Sequence, residues 1–576
     1  MAETKTCKQC SKEFVVTDDD LAFYKKISPT FAGKTFEIPA PTLCSRCRYQ
    51  RRMVVRNVKN LHKRKCDLCQ KEIVSMYSPD KMDIKIYCRE CWWSDKWDPT
   101  DYAKEYNPND SFFDQVIKLK KKVPMPALMH VNSENSDFVN FANDNKNCYL
   151  VFLAGNNEDV YYGYWSEYSK SCVEITYTNH SELCYEVIGG EDCYRVFYGR
   201  DINSCRDSYF IEDCQQCRDC ILCSGLKNKQ YYFENKSLSE EKYEEKKKQF
   251  LAKFEENLEK YKAKFEEIIL QKPKRFAQVI KTENCSGDFI FRSKNCLDCF
   301  NLFECENCYH SQDLRQAKDS YDITGFGIPI ELSYESQNIG LGSSRCNFVS
   351  FAYQLSDSYY CEHCYHASNL FGCIGMKSHE QYCILNKKYS REEYESLIVK
   401  IIEKMIQDDE WGEFFPAKCT IFGYNETMAF DYLPVSREEA IQLGYRWQEK
   451  NFDIDFKGPF YEPKPIDVYK NDKNERDNLL SGVLKCQKTG RPYKIIPHEL
   501  LFYIKNDLQI PKIHYDVRMQ ERFNLRNPNI LYHRQCMCEE TGHNHEGQCK
   551  VEFETTYTPD RKERVYCEKC YQKSVI

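Results

Sequence analysis

No run of roughly eighteen or more apolar residues occurs in the 576-residue chain, so no helix of membrane-spanning length is expected. The opening MAETKTCKQC has no basic stretch leading into an apolar run, and a secretory signal is not expected either. A net charge of −6 leaves no broad basic field, so any affinity for nucleic acid must come from a local patch. A Gly-rich phosphate loop, an HExxH helix and a nucleophile elbow are all missing. No catalytic residue is therefore assigned, and an enzyme is not the expectation. These absences predict a soluble cytoplasmic protein without a membrane partner. Thiols stay reduced in that compartment, and C-x2-C pairs there mean metal or redox chemistry before disulfides.

What is present in excess is cysteine, with 34 residues, and tyrosine, with 42. The chain is too long for one core and should form several domains. Its cysteines follow two patterns, C-x2-C pairs near both ends and a regular recurrence between them.

Near the amino terminus Cys7, Cys10, Cys44 and Cys47 form one set, and Cys66, Cys69, Cys88 and Cys91 a second. Four thiolates are the complement of a closed structural zinc site, and a second pair opening a helix describes a treble-clef or zinc-ribbon finger. A reduced-thiol core without metal is the alternative. The carboxy terminus repeats the plan: Cys486 aligns with Cys7, Arg526-Asn527 with Arg56-Asn57, Cys536 with Cys66, and YCEKCY with YCRECW. In this copy Thr489, His514 and Val517 replace Cys10, Cys44 and Cys47, so its first site is lost. The second survives as Cys536, Cys549, Cys567 and Cys570, with an insertion carrying Cys538, His543 and His545. The alignment favours Cys549 over Cys538 as a ligand, and the histidines read either as ligands or as a solvated pair. About three zinc ions are expected.

Between the two amino-terminal sites runs CRYQRRMVVRNVKNLHKRKC, with Arg48, Arg51, Arg52, Arg56, Lys59, Lys63 and Arg64 and no acid from Cys44 to Cys66. Arg48, Arg52 and Arg56 recur every four residues and share one face of a helix. Such a face fits phosphate binding; the alternative is a solvated helix surface.

From Asn132 the segments NKNCYLV, SKSCVEI, ELCYEV and EDCYRV follow one another, and Cys172, Cys193 and Cys214 stand 21 residues apart. This predicts a solenoid of roughly 21 residues per coil, with cysteines inward and the neighbouring Tyr149, Tyr185 and Tyr194 outward. A helix opened by Ser237-x-x-Glu240 closes the block, and the block then repeats, ending with a helix opened by Ser390-x-x-Glu393. Cys214, Cys217, Cys220 and Cys223 come near the spacing of iron–sulfur ligands, but lack the last spacer residue and the following proline. A reduced, cysteine-lined interior is the preferred reading.

The expected architecture is multidomain and mainly β, with treble-clef or zinc-ribbon modules flanking a duplicated cysteine-rich solenoid-like region with long helices. Its segments are a first finger with the basic helix (1–60), a second finger and helix (61–130), two repeat blocks with their helices (131–275 and 280–408), an extended connector (409–480) and a carboxy-terminal zinc module (481–576). The C-x2-C pairs, QRR, RN, KCDLC, MYSPDK, WWSDKWDP and the NCY-type repeats resemble a functionally uncharacterised zinc-finger family of the reduced-genome bacteria of the candidate phyla radiation. The resemblance implies a bacterial cytoplasmic setting and assigns no residue a role. The expected function is nucleic-acid binding, RNA before DNA, with the basic helix as anchor and outward tyrosines for stacking. A zinc-finger scaffold for protein assembly is the alternative, and an iron–sulfur or redox protein a second.

Overall fold

The computed structural model describes residues 2–575 except 326, 450–455 and 544. Its centre is two long sheets, an 11-stranded one from His130 to Ser237 and a 13-stranded one from Val279 to Lys388. In the first, the strands lie in strict chain order and run parallel until the antiparallel last pair. Their register is constant: Val139 faces Val151, Phe152 faces Tyr164, Tyr185 faces Phe197 and Arg206 faces Arg218. The chain therefore returns to the same column every 12 residues.

A second period explains how so short a turn closes. Asn147, Leu150, Leu153, Asn156 and Asp159 all have left-handed backbone, with φ from 52 to 57°. Every third residue thus turns a corner, and four triplets complete a turn. The residue after each corner points inward, so Cys148, Val151, Ala154, Val160, Cys172, Ile175, Cys184 and Val187 belong to one buried cluster. The expected 21-residue coil is corrected by this geometry. Twenty-one is seven triplets, so Cys172 and Cys193 both face inward but from different sides of the turn. The run Cys214, Cys217, Cys220 and Cys223 is one complete turn with cysteine on all four sides. Its x2 spacing is the triplet, and these four are not among the clusters whose ligand atoms converge among the described residues.

The polar groups of the interior are satisfied along the columns. Asn145 Oδ1 accepts the Asn157 N–H at 3.1 Å, Asn157 Oδ1 accepts that of Ser169 at 2.9 Å, and Ser181 Oγ that of Cys193 at 3.1 Å. Thiols do likewise as donors: Cys172 Sγ gives to the Lys170 carbonyl at 3.2 Å and the Ser181 carbonyl at 3.4 Å. Cysteine suits the site because it is small, apolar enough for a dry interior and still a weak donor.

Outward neighbours of the cysteines fare differently from expectation. Tyr194 is exposed and Tyr149 partly covered, but Tyr185 is buried, its ring 6.1 Å from Phe502 and 6.0 Å from Tyr503.

The second ladder keeps the 12-residue register at Lys294/Glu306 and Ser350/Glu362, and widens to 13 at Tyr321/Tyr334 and Gln337/Ser350. Its first turn is shorter, with Cys285 facing Cys296 and an irregularity before Gly287. Gly287 has φ +136°, and a Cβ there would stand 1.7 Å from the Cys299 carbonyl oxygen. After the first ladder come two helices, Glu240–Ala252 and Phe254–Gln271, separated at Lys253. The first is capped by Ser239, not Ser237. After the second ladder Arg391–Gln407 begins with the expected box of Ser390 and Glu393.

Each terminal module spans both ladders. In the amino-terminal module Ile86–Tyr87 pairs with Met125–Pro126, which leads into the first ladder, while helix Ser45–Met53 lies on the second. In the carboxy-terminal module Val565–Tyr566 pairs with Lys274–Arg275, which leads into the second ladder, while helix Tyr515–Leu525 lies on the first. The expected extended connector is a folded strap: Trp411, Phe414, Phe422, Tyr424 and Met428 are buried, and Met428 N–H donates to the Arg56 carbonyl at 2.9 Å.

Gly287→Ala should lower the urea midpoint by the equivalent of about 2 kcal/mol or more, since both the backbone and the Cys299 carbonyl forbid a side chain. An unchanged midpoint would show that this turn can yield.

Candidate metal centres

Three tetrathiolate sets converge, with all sulfurs in each within 4.8 Å of one another: Cys7, Cys10, Cys44 and Cys47; Cys66, Cys69, Cys88 and Cys91; and Cys536, Cys549, Cys567 and Cys570. A tetrahedral ion with Zn–S bonds of about 2.3 Å places its sulfurs about 3.8 Å apart. Cys10 and Cys44 are 3.7 Å apart, and Cys69 and Cys88 are 3.9 Å apart. Each set could hold a metal ion, and thiolate donors at this spacing suit zinc.

The local fold explains the convergence. In the two amino-terminal sets the first pair lies in a tight turn, where Cys7 N–H donates to the Lys12 carbonyl and Cys66 N–H to that of Lys71, both at 2.9 Å; in the third, Cys536 N–H donates to the Val551 carbonyl at 2.8 Å across the insertion. Each second pair opens a helix: Cys44 caps Ser45–Met53, Cys88 caps Arg89–Trp93, and Cys567 directly precedes Glu568–Val575. A helix amino terminus favours thiolate over thiol. Backbone donors add to this, with Cys88 N–H on Cys66 Sγ at 3.3 Å and Cys567 N–H on Cys536 Sγ at 3.2 Å. Hydrogen bonding from Cys47 outweighs burial and holds Cys44 down to about 5.

Cys549, not Cys538, completes the third set; Cys538 lies in a neighbouring group with His543 and His545. The lost fourth site keeps its local hydrogen bond with Cys486 as its one remaining cysteine. His514 caps its helix, and His514 N–H still donates to Cys486 Sγ at 3.3 Å.

The basic helix is where sequence and structure part most. Arg48 and Arg52, expected to face solvent, are 2% and 0% exposed. Both are spent on Asp322 of the second ladder: Arg48 Nε donates to Oδ2 at 3.0 Å and Arg52 Nη1 to Oδ1 at 2.9 Å. Arg51 pairs with Glu335 and Glu413, each at 2.6 Å, and Lys59 with Asp431 at 2.7 Å. Arg56 is buried over the Phe141 ring at 4.4 Å. Arg64 bonds Asp67 at 3.3 Å, and only Lys63 of the seven expected phosphate ligands is exposed. The cationic face is thus a docking surface, and its acid partners were invisible in the sequence because they come from distant segments. In the structure Asp322 and Glu335 both occupy left-handed corners, whose side chains leave the ladder outward.

The carboxy-terminal copy repeats the docking on the other ladder. Arg518 Nε lies 3.0 Å from Glu174 Oε1, Arg522 donates to Glu174 Oε2, and Glu174 too is a left-handed corner. Arg526 covers the Tyr177 ring at 3.5 Å, as Arg56 covers Phe141. The less basic second copy therefore keeps the same role at these positions.

No protein-family model and no curated protein matches this chain. The geometry alone carries the reading that follows.

Asp322→Asn should destabilise the protein by about 3–5 kcal/mol, because it leaves two buried guanidiniums uncompensated. Burial would raise the Asp322 carboxyl, but Arg48 and then Arg52 outweigh it and hold it below the usual carboxylate range. Its stabilisation is therefore complete above the unfolded carboxylate's pKa and is lost as pH falls through the lower folded value. The wild-type unfolding midpoint should fall over that acid window, and a parallel fall in Asp322→Asn would refute the assignment.

Proposed function

We propose that this protein is a zinc-stapled, non-catalytic interaction scaffold of the bacterial cytoplasm, built from two four-sided solenoids clamped by duplicated treble-clef modules. The observation that carries this reading is the position of the thiolate sets. The helix opened by each set packs on a ladder: Arg48 reaches Asp322, the Trp92 ring lies 5.7 Å from that of Tyr365, and Tyr571 donates to Asp213 at 2.8 Å. A metal at each base fixes the angle at which its helix meets the ladder. Structural zinc of this kind contributes on the order of 10 kcal/mol to the folding of a small module, comparable to a typical domain's whole net stability.

The scaffold reading is preferred to RNA binding because Arg48, Arg51, Arg52 and Arg64 already hold carboxylates and Arg56 is buried over the Phe141 ring. Protein partners then meet the remaining outer faces of the ladders. The purified protein should hold at least three zinc ions per chain by elemental analysis, and chelation should lower its melting temperature. Lowering the pH should release the metal, since protons compete for the thiolates. Affinity capture from the source cells should retain the same protein partners after nuclease treatment. Recovery of RNA that disappears in Lys63→Glu/Lys65→Glu would instead support the nucleic-acid reading and overturn this one.

A further inference from the structure

The insertion that separates Cys536 from Cys549 has no counterpart between Cys66 and Cys69. It carries Cys538, His543 and His545, whose ligand atoms converge with Cys570 Sγ within 4.8 Å. Cys570 also belongs to the tetrathiolate set of Cys536, Cys549 and Cys567. Two four-ligand groups thus share one sulfur.

The histidines are oriented as metal ligands are. His543 turns Nδ1 toward Cys538 Sγ at 3.0 Å, while its Nε2 lies 3.5 Å from Glu540 Oε2. Glu540 is itself held, by the Tyr566 hydroxyl at 3.1 Å and the Ser574 hydroxyl at 3.0 Å. His545 turns Nε2 toward Cys570 Sγ at 3.4 Å and engages the Gly547 carbonyl through Nδ1 at 2.8 Å. A carboxylate or carbonyl on the far ring nitrogen fixes the tautomer and leaves the near nitrogen free to coordinate. The His543 side chain is only 8% exposed, which disfavours a merely solvated pair.

We propose that the carboxy-terminal module holds two zinc ions bridged by the Cys570 thiolate. Cys536, Cys549 and Cys567 complete the first site, and Cys538, His543 and His545 the second. The chain then binds four zincs, not three. The inference rests on the zinc reading above and deepens it.

Elemental analysis and native mass spectrometry of the full-length protein, purified with zinc, test it. Wild type should hold four zincs per chain, and His543→Ala/His545→Ala and Cys538→Ser three each. A further variant replaces residues 537–548 with the Asp67-Leu68 pair of the first copy. It should keep the fold by circular dichroism and also hold three. Three zincs in the wild type, or four in the histidine variant, would overturn the bridged pair while leaving the tetrathiolate sites standing. A wild type with no zinc would instead refute the zinc reading itself.

Discussion

A left-handed residue at every third position is the constraint from which the rest follows. It makes the turn four-sided and sets its length at twelve throughout the first ladder, with departures to eleven and thirteen in the second, and it leaves one inward side chain per triplet. L-residues resist this conformation; Asn, Asp and Gly resist it least. Leu150, Tyr162 and Phe210 nevertheless adopt it, held there by the hydrogen bonds of the turns above and below. Interior side chains must then be small, because four of them meet across a narrow lumen at every level. Val, Ile, Ala, Ser and Cys help to fill it, and cysteine adds a weak donor to carbonyls that already accept a backbone N–H, as Cys172 does at Lys170 and Ser181.

The corners also organise the surface. Asp322, Glu335 and Glu174 sit at corners and project toward helices that bring arginine. Buried ion pairs contribute less to net stability than to specificity, since desolvation offsets much of their attraction. Here they decide which ladder each module sits on. The ion-paired amino-terminal arginines, Arg48, Arg51 and Arg52, take the second ladder, and Arg518 and Arg522 the first. The duplicated modules thereby tie two duplicated ladders into one apolar cluster that runs from Val16 to Phe523.

The metal-ligand sets were legible from spacing and alignment, because a C-x2-C turn and a ligand pair at a helix start are local devices. Cys549 could be favoured over Cys538 for the same reason. The ladders were legible as repeats but not in their period: Cys172/Cys184 and Cys193/Cys205/Cys217 do share a column of 12, but the equal steps from Cys172 to Cys193 to Cys214 follow a diagonal of 21. Asn147, Ser171, Asp192 and Ser204, each the residue just before a ladder cysteine, mark the corners. The fate of the basic helix was not legible. An arginine that will be buried looks the same as one that will stay in water, and what distinguishes them lies hundreds of residues away.

That separation sets an order of events during synthesis. Arg48 and Asp322 are 274 residues apart, a delay on the order of tens of seconds at ribosomal rates. Through that interval the amino-terminal module lacks the second ladder on which its basic helix docks, and both of its thiolate sets are intact. The carboxy-terminal helix emerges last and finds Glu174, 348 residues behind Arg522, already in place. The copy that is born next to its binding surface is the one in which Cys486 stands without its three partners.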